Sequence, residues 1–187
     1  MGLLGWFRKT EEPREDERLS AWRTSWGEAA PAPDEARFEA LRTQLEALGL
    51  ADDAVEIERE MLDGLKDLLH LREALRATGL PVVETRHRVV GHDVCHFTAP
   101  ASMPDEPEQP SGRLLLTSRR AIFIGGANGA ALPWHGVLDA RHLDRDLVLA
   151  RQGVPARFRC NTFSDALRAA CIARELMTAH RRSAPGL

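Results

Sequence analysis

The sequence predicts an α+β chain, with helices first, an antiparallel sheet after them and one closing helix. Three observations carry this. Apolar residues recur at helical spacing up to Thr78. From Pro81 the period falls to about two. Thr162-Phe163-Ser164-Asp165 then has the S/T-x-x-D/E form that opens a helix.

Residues 1–33 read as a flexible N-terminal segment. Glu11-Glu12-Pro13-Arg14-Glu15-Asp16-Glu17-Arg18 is a dense charge run, and Pro31-Ala32-Pro33 marks a linker. Between them Leu19, Trp22 and Trp26 share one face of a short helix. An isolated helix that short is marginal in water, so its tryptophans are expected to dock on another surface.

Residues 34–80 read as a helical hairpin. Asp34 caps the first helix, which carries Phe38, Leu41, Leu45 and Leu48 on one face and ends at Gly49. The second starts at Asp52 or Asp53. It carries Ile57, Met61, Leu65, Leu68 and Leu75 on one face, with Leu62 and Leu69 beside them, and stops at Gly79 and Pro81. The short connection makes the two antiparallel. These apolar side chains are wider than one stripe, so an uncovered surface that mediates self-association or docking is expected.

Residues 81–182 read as the β domain, followed by a tail at 183–187. Strands are expected at 81–90 and 94–99 around Gly91-His92-Asp93. After a proline-rich acidic loop come 113–117, 121–124, 132–134, 137–143, 147–151 and 156–160. The last helix shows a narrow apolar face at Leu167, Ala170, Cys171 and Met177, with small Ala169 and Ala173 nearby that allow close approach to a sheet.

Charge divides the chain. Residues 1–80 hold 11 Lys+Arg against 18 Asp+Glu (net −7), and residues 81–187 hold 14 against 10 (net +4). The overall −3 argues against nucleic-acid binding, and the basic half is the better candidate for an anionic partner. Three scattered cysteines and no apolar run of about 20 residues predict a cytoplasmic protein, with membrane association as an alternative.

Gly112-Arg-Leu-Leu-Leu-Thr117-Ser-Arg-Arg120-Ala-Ile-Phe123 resembles the hairpin of GRAM and bacterial PH-like domains, which favour Gly-x-Leu-x-Leu-Thr-Asn-x-Arg-Leu-x-Phe. Ser118 and Ala121 depart from that pattern. Leu132-Pro133-Trp134-His-Gly-Val137-Leu138 resembles the next strand pair. The resemblance covers about 81–182. It implies a seven-stranded, strongly bent sheet capped by the C-terminal helix, and a module that binds lipid, peptide or protein.

No catalytic constellation stands out, and the chain is expected to be no enzyme and to hold no cofactor. The glycine-rich stretch 125–130 lacks the Lys and the helix that a phosphate loop requires. His92 and His96 would stand roughly 13 Å apart on a strand, with Cys95 on the other face, so no metal site is expected. Thr117 and Arg120 are expected to shape a turn and Trp134 to fill the core. Arg86, Arg88, Arg113 and Arg119 form a basic face, but the acid in Gly91-His92-Asp93 counts against a phosphoinositide site. Trp6, Phe7, Arg8 and Lys9 have the composition of a membrane interface. Trp6 stands where the myristoylation pattern wants Ser or Thr. The expected function is therefore protein–protein interaction or scaffolding, with a protein or a second copy as partner. The contact candidates are these aromatic and basic residues together with Trp22 and Trp26. Peripheral binding to anionic membranes is the alternative.

Overall fold

The structure is a computed structural model that describes residues 15–125 and 129–183. Helix α1 (Glu15–Ala29) buries Leu19, Trp22 and Trp26. A buried indole N–H needs an acceptor. Trp22 Nε1 donates to Leu41 O and Trp26 Nε1 to Met61 O, each at 2.9 Å. These bonds tie α1 to α2 (Glu35–Ala47) and to α3 (Glu56–Thr78). Asp34 caps α2 by accepting the Arg37 N–H at 2.8 Å. Gly49 (φ +61°) and Gly79 (φ +80°) end α2 and α3 in a backbone region that favours glycine. Arg72 at the far end of α3 donates to Pro33 O, just before α2 begins, so the pair is antiparallel.

Seven strands follow: β1 (Cys95–Ser102), β2 (Ser111–Thr117), β3 (Arg120–Gly125), β4 (Ala130–Pro133), β5 (Val137–Leu143), β6 (Asp146–Arg151) and β7 (Ala156–Cys160). Their order is β4-β3-β2-β1-β7-β6-β5, and every paired neighbour is antiparallel. Strand β1 pairs with β2 along its whole length but with β7 only at Ala101 and Ser102, and the two halves of the sheet join there. Phe123 of one half meets Phe158 of the other at 5.9 Å between ring centres. This is the α+β architecture expected of the chain.

Helix α4 (Phe163–Ser183) lies in the middle of the molecule. Thr162 opens it by accepting the Asp165 N–H at 3.0 Å. The narrow apolar face expected here is an underestimate. Phe163, Ala166, Leu167, Ala169, Ala170, Ile172, Ala173, Leu176 and Met177 are all buried, because the sheet covers one side and α3 the other. The α3 side is close: a Cβ on Gly64 would stand 3.1 Å from Ser164 N.

Three expectations need correction. Residues 81–90 form no strand; they run beside β1 with a single backbone bond to it, Val83 N–H to Cys95 O at 2.8 Å, and end in a 3-10 turn at Arg88–Val90. Ile57 does not join the Met61/Leu65/Leu68 face, being 48% exposed, whereas Leu71 is buried. The wide apolar surface of the helices is not left open either. Leu62 is buried, and Leu19, Trp22 and Trp26 belong to one continuous core with α4 and the sheet.

Candidate functional site

Alternation along the strands sends side chains to both faces of the sheet. Leu114, Leu116, Ala121 and Phe123 point into the main core. Cys95, Leu115 and Ile122 point outward and would meet water. Residues 81–94 cover them, and Val90 with partly buried Val83 completes a small second core on that outer face. His96, also on β1, lies 2.7 Å from Pro81 O through its Nδ1. A carbonyl only accepts, so Nδ1 carries the proton of that bond.

The end of this cover is pinned at the β2–β3 turn. Thr117 is fully buried. Its hydroxyl accepts the Arg120 N–H at 3.1 Å and shares its own proton between Arg120 O (2.9 Å) and Asp93 Oδ2 (3.2 Å). Trp134, buried as expected, donates its indole N–H to Thr117 O at 2.8 Å. Asp93 reaches this turn from the cover segment, its side chain 4% exposed, with Arg120 Nε at 3.2 Å and Arg119 Nε at 3.4 Å. Arg120 also donates to Val89 O at 3.3 Å. Thr117, Arg120 and Trp134 therefore hold a turn together. The acid that counted against a phosphoinositide site is turned inward and neutralised by two guanidiniums.

The cover presents a mixed surface to water. Val82, Val89 and Val94 are 72%, 49% and 43% exposed. Arg86 and Arg88 are exposed between them, and the Arg119 side chain is 79% exposed despite its partner. Arg113 stands on the same outward face of β2, two residues from Leu115, and donates to Thr98 Oγ1 at 3.3 Å. The four arginines singled out from the sequence thus share one side of the molecule. Glu84 is the exposed acid of the segment. The valines were missed, because a valine in an alternating run reads as core. Trp22 and Trp26 leave the set of contact candidates, since both indoles are enclosed by their own chain. Trp6, Phe7, Arg8 and Lys9 lie outside the described residues.

Among the described residues no group of three or more His, Cys, Asp or Glu is placed to hold a metal ion. Burial pushes the Cys160 thiol up to about 12, aided by the charges of Asp165 and Asp146, and burial also raises Cys95 and Cys171. These thiols stay protonated at neutral pH and lack the character of nucleophiles. The glycine-rich stretch joins β3 to β4, with no helix behind it to face a phosphate. Among the described residues no helix is long and apolar enough to cross a membrane.

No protein-family model matches the chain, and no curated protein resembles it in sequence. Solved structures are similar to it in their coordinates rather than in sequence. Over 58% of its length the chain is similar to 95% of the C-terminal domain of an unknown protein from Leishmania infantum, at 8% identity and a TM-score of 0.41. Over 49% it is similar to 86% of the N-terminal PH domain of human ARAP2, at 6% identity and a TM-score of 0.38. Over 87% it is similar to 54% of the N-terminally truncated linker-DH/PH domains of p115-RhoGEF, at 10% identity and a TM-score of 0.40.

Proposed function

We propose that the chain is a non-enzymatic, PH-like protein-binding module whose binding face is the 81–94 cover, and that its partner is an acidic, partly apolar protein segment. The observation that carries this is the exposure of Val82, Val89 and Val94 on one short segment, interleaved with Arg86 and Arg88 and joined by Arg119 through its ion pair with Asp93.

Magnitudes favour an acidic partner. Covering the exposed part of each valine is worth roughly 1 kcal/mol, whereas association costs at least about 4 kcal/mol. The valines alone do not hold a partner. Charge-assisted bonds from the arginines, about 1.5–3 kcal/mol each, close the gap, and carboxylates on the partner supply them. An anionic bilayer offers the same charge, but among the described residues this face has no aromatic anchor at the depth of the headgroups.

The test selects a random-peptide display library on the immobilised full chain, with Arg86→Glu/Arg88→Glu as the counter-target. Vesicles with and without phosphatidylserine are co-sedimented in parallel. Enriched peptides should combine Asp or Glu with aliphatic residues and bind the wild type at least about tenfold more tightly than the variant. Enrichment without acidic bias, no enrichment, or phosphatidylserine-dependent sedimentation that the same variant abolishes would each overturn the proposal.

A further inference from the structure

On a different layer of the molecule, the second half of α3 and the middle of α4 enclose a groove of about 290 Å³. Its apolar lining comes from Pro31, Leu68, Leu75 and Cys171, and three guanidiniums, Arg72, Arg76 and Arg174, line it as well. We propose that this groove binds a small oxyanion with a short aliphatic tail.

Three features of the groove support this. Among the described residues none of the three arginines has a carboxylate within ion-pair distance, and the Arg76 guanidinium makes no hydrogen bond either. Glu175 lines the groove and is exposed, and three arginines against that one carboxylate leave an excess of positive charge. Arg72 and Arg76 are four residues apart on one helix, where like charges repel, and α4 adds a third. An oxyanion between them relieves that repulsion and takes paired N–H donors from a planar guanidinium.

Two of the arginines are already placed. Arg72 Nη1 donates to Pro33 O at 3.4 Å and Arg174 Nε to Ala170 O at 3.3 Å, which leaves their other donors for a ligand. Both charges act on the Cys171 thiol, favouring its ionised form, although burial outweighs them. The apolar part of the lining accommodates a tail, and the volume limits it. At about 290 Å³ the space lies at the lower end of ligand pockets, so a chain of several carbons fits and a phospholipid's acyl pair does not. Carboxylate and phosphate share this chemistry.

The experiment is an NMR titration of the full chain with hexanoate, hexyl phosphate, hexanol and inorganic phosphate, observing backbone amides and arginine Nε–H signals. Saturable shifts at Leu75, Cys171 and the three arginines are expected for hexanoate, hexyl phosphate or both, and the two arms show which headgroup the groove takes. Arg76→Ala should weaken that binding about tenfold. Arg76 has no internal partner, so the variant keeps its fold. Arg88→Ala, on the 81–94 cover, should change nothing, which separates this site from the protein-binding face. Hexanol binding as tightly as hexanoate, inorganic phosphate binding as tightly as hexyl phosphate, no saturable shift, or an unaffected Arg76→Ala variant would each overturn the assignment.

Discussion

The carboxylate of Glu60 on α3 accepts the backbone N–H of Phe163 at 3.0 Å, so a side chain from a distant helix caps the first turn of α4. The other oxygen of Glu60 pairs with Arg145, whose guanidinium lies 5.0 Å over the Phe163 ring. Ser164 Oγ adds a bond to Asp67 at 2.5 Å. Negative charge at a helix N-terminus is favourable, and an unfilled amide there is not. Glu60→Ala should therefore destabilise the chain by about 1–3 kcal/mol in urea denaturation. Glu60→Gln, which keeps an acceptor for Phe163, should lose less. Equal loss in both variants would show that the cap contributes nothing.

Gly64 and Gly27 should respond in opposite directions. Atoms beyond a Cβ at Gly64 run into the α4 backbone, since the Cβ itself would stand 3.1 Å from Ser164 N and 3.2 Å from Phe163 C. Gly64→Val should cost about 3 kcal/mol or more by prising α3 from α4. Gly27 in α1 has open space around its Cβ position, so Gly27→Ala should gain up to about 1 kcal/mol from helix propensity. Thermal unfolding of both variants checks the contrast.

Shortening the chain should fail. Without α1–α3, the side of α4 that carries Phe163 and Leu167 against Gly64 meets water. A chain beginning at Thr78 should aggregate or lose its near-ultraviolet circular dichroism. A monodisperse, folded monomer in light scattering would contradict the shared core.

Stability should fall in mild acid because of His142. Burial and the charge of Arg174 lower its pKa, and Asp144 opposes them. Its ring also sits edge-on to Trp26 at 5.8 Å. The folded chain thus holds this proton less tightly than the unfolded chain does. The stabilisation is fully present above about pH 6.5, the ordinary histidine value, and is lost as pH falls through the folded-state pKa. The melting temperature should drop between pH 7 and 5.5, and less so in His142→Gln. Identical slopes would contradict this.

Periodicity and turn chemistry located nearly every strand from β1 to β7, the caps at Asp34 and Thr162, and the helix ends at Gly49 and Gly79. What escaped has common physical causes. Residues 81–90 alternate because they lay Val83 and Val90 on an outer face, and such a cover has the same period as a strand. The buried surface of α4 extends past the expected face to Phe163, Ala166, Ile172 and Leu176, because a helix packed on two sides has no single apolar stripe. The four arginines of the basic face were legible as charges. The inward turn of Asp93 was not, because it depends on Arg119 and Arg120 returning across a long loop. The groove between Leu75 and Arg174 unites residues from separate helices, and no spacing announces it.

We propose that the 81–94 face recognises an acidic protein segment through Arg86 and Arg88. The most direct measurement is a charge-swap cycle, using fluorescence anisotropy with a display-selected acidic peptide and its Glu→Lys counterpart. Arg86→Glu/Arg88→Glu should lose the acidic peptide by about tenfold or more and gain the lysine peptide, the coupling that direct pairing produces. Unchanged affinity for the acidic peptide, or loss without recovery by the swapped pair, would contradict it.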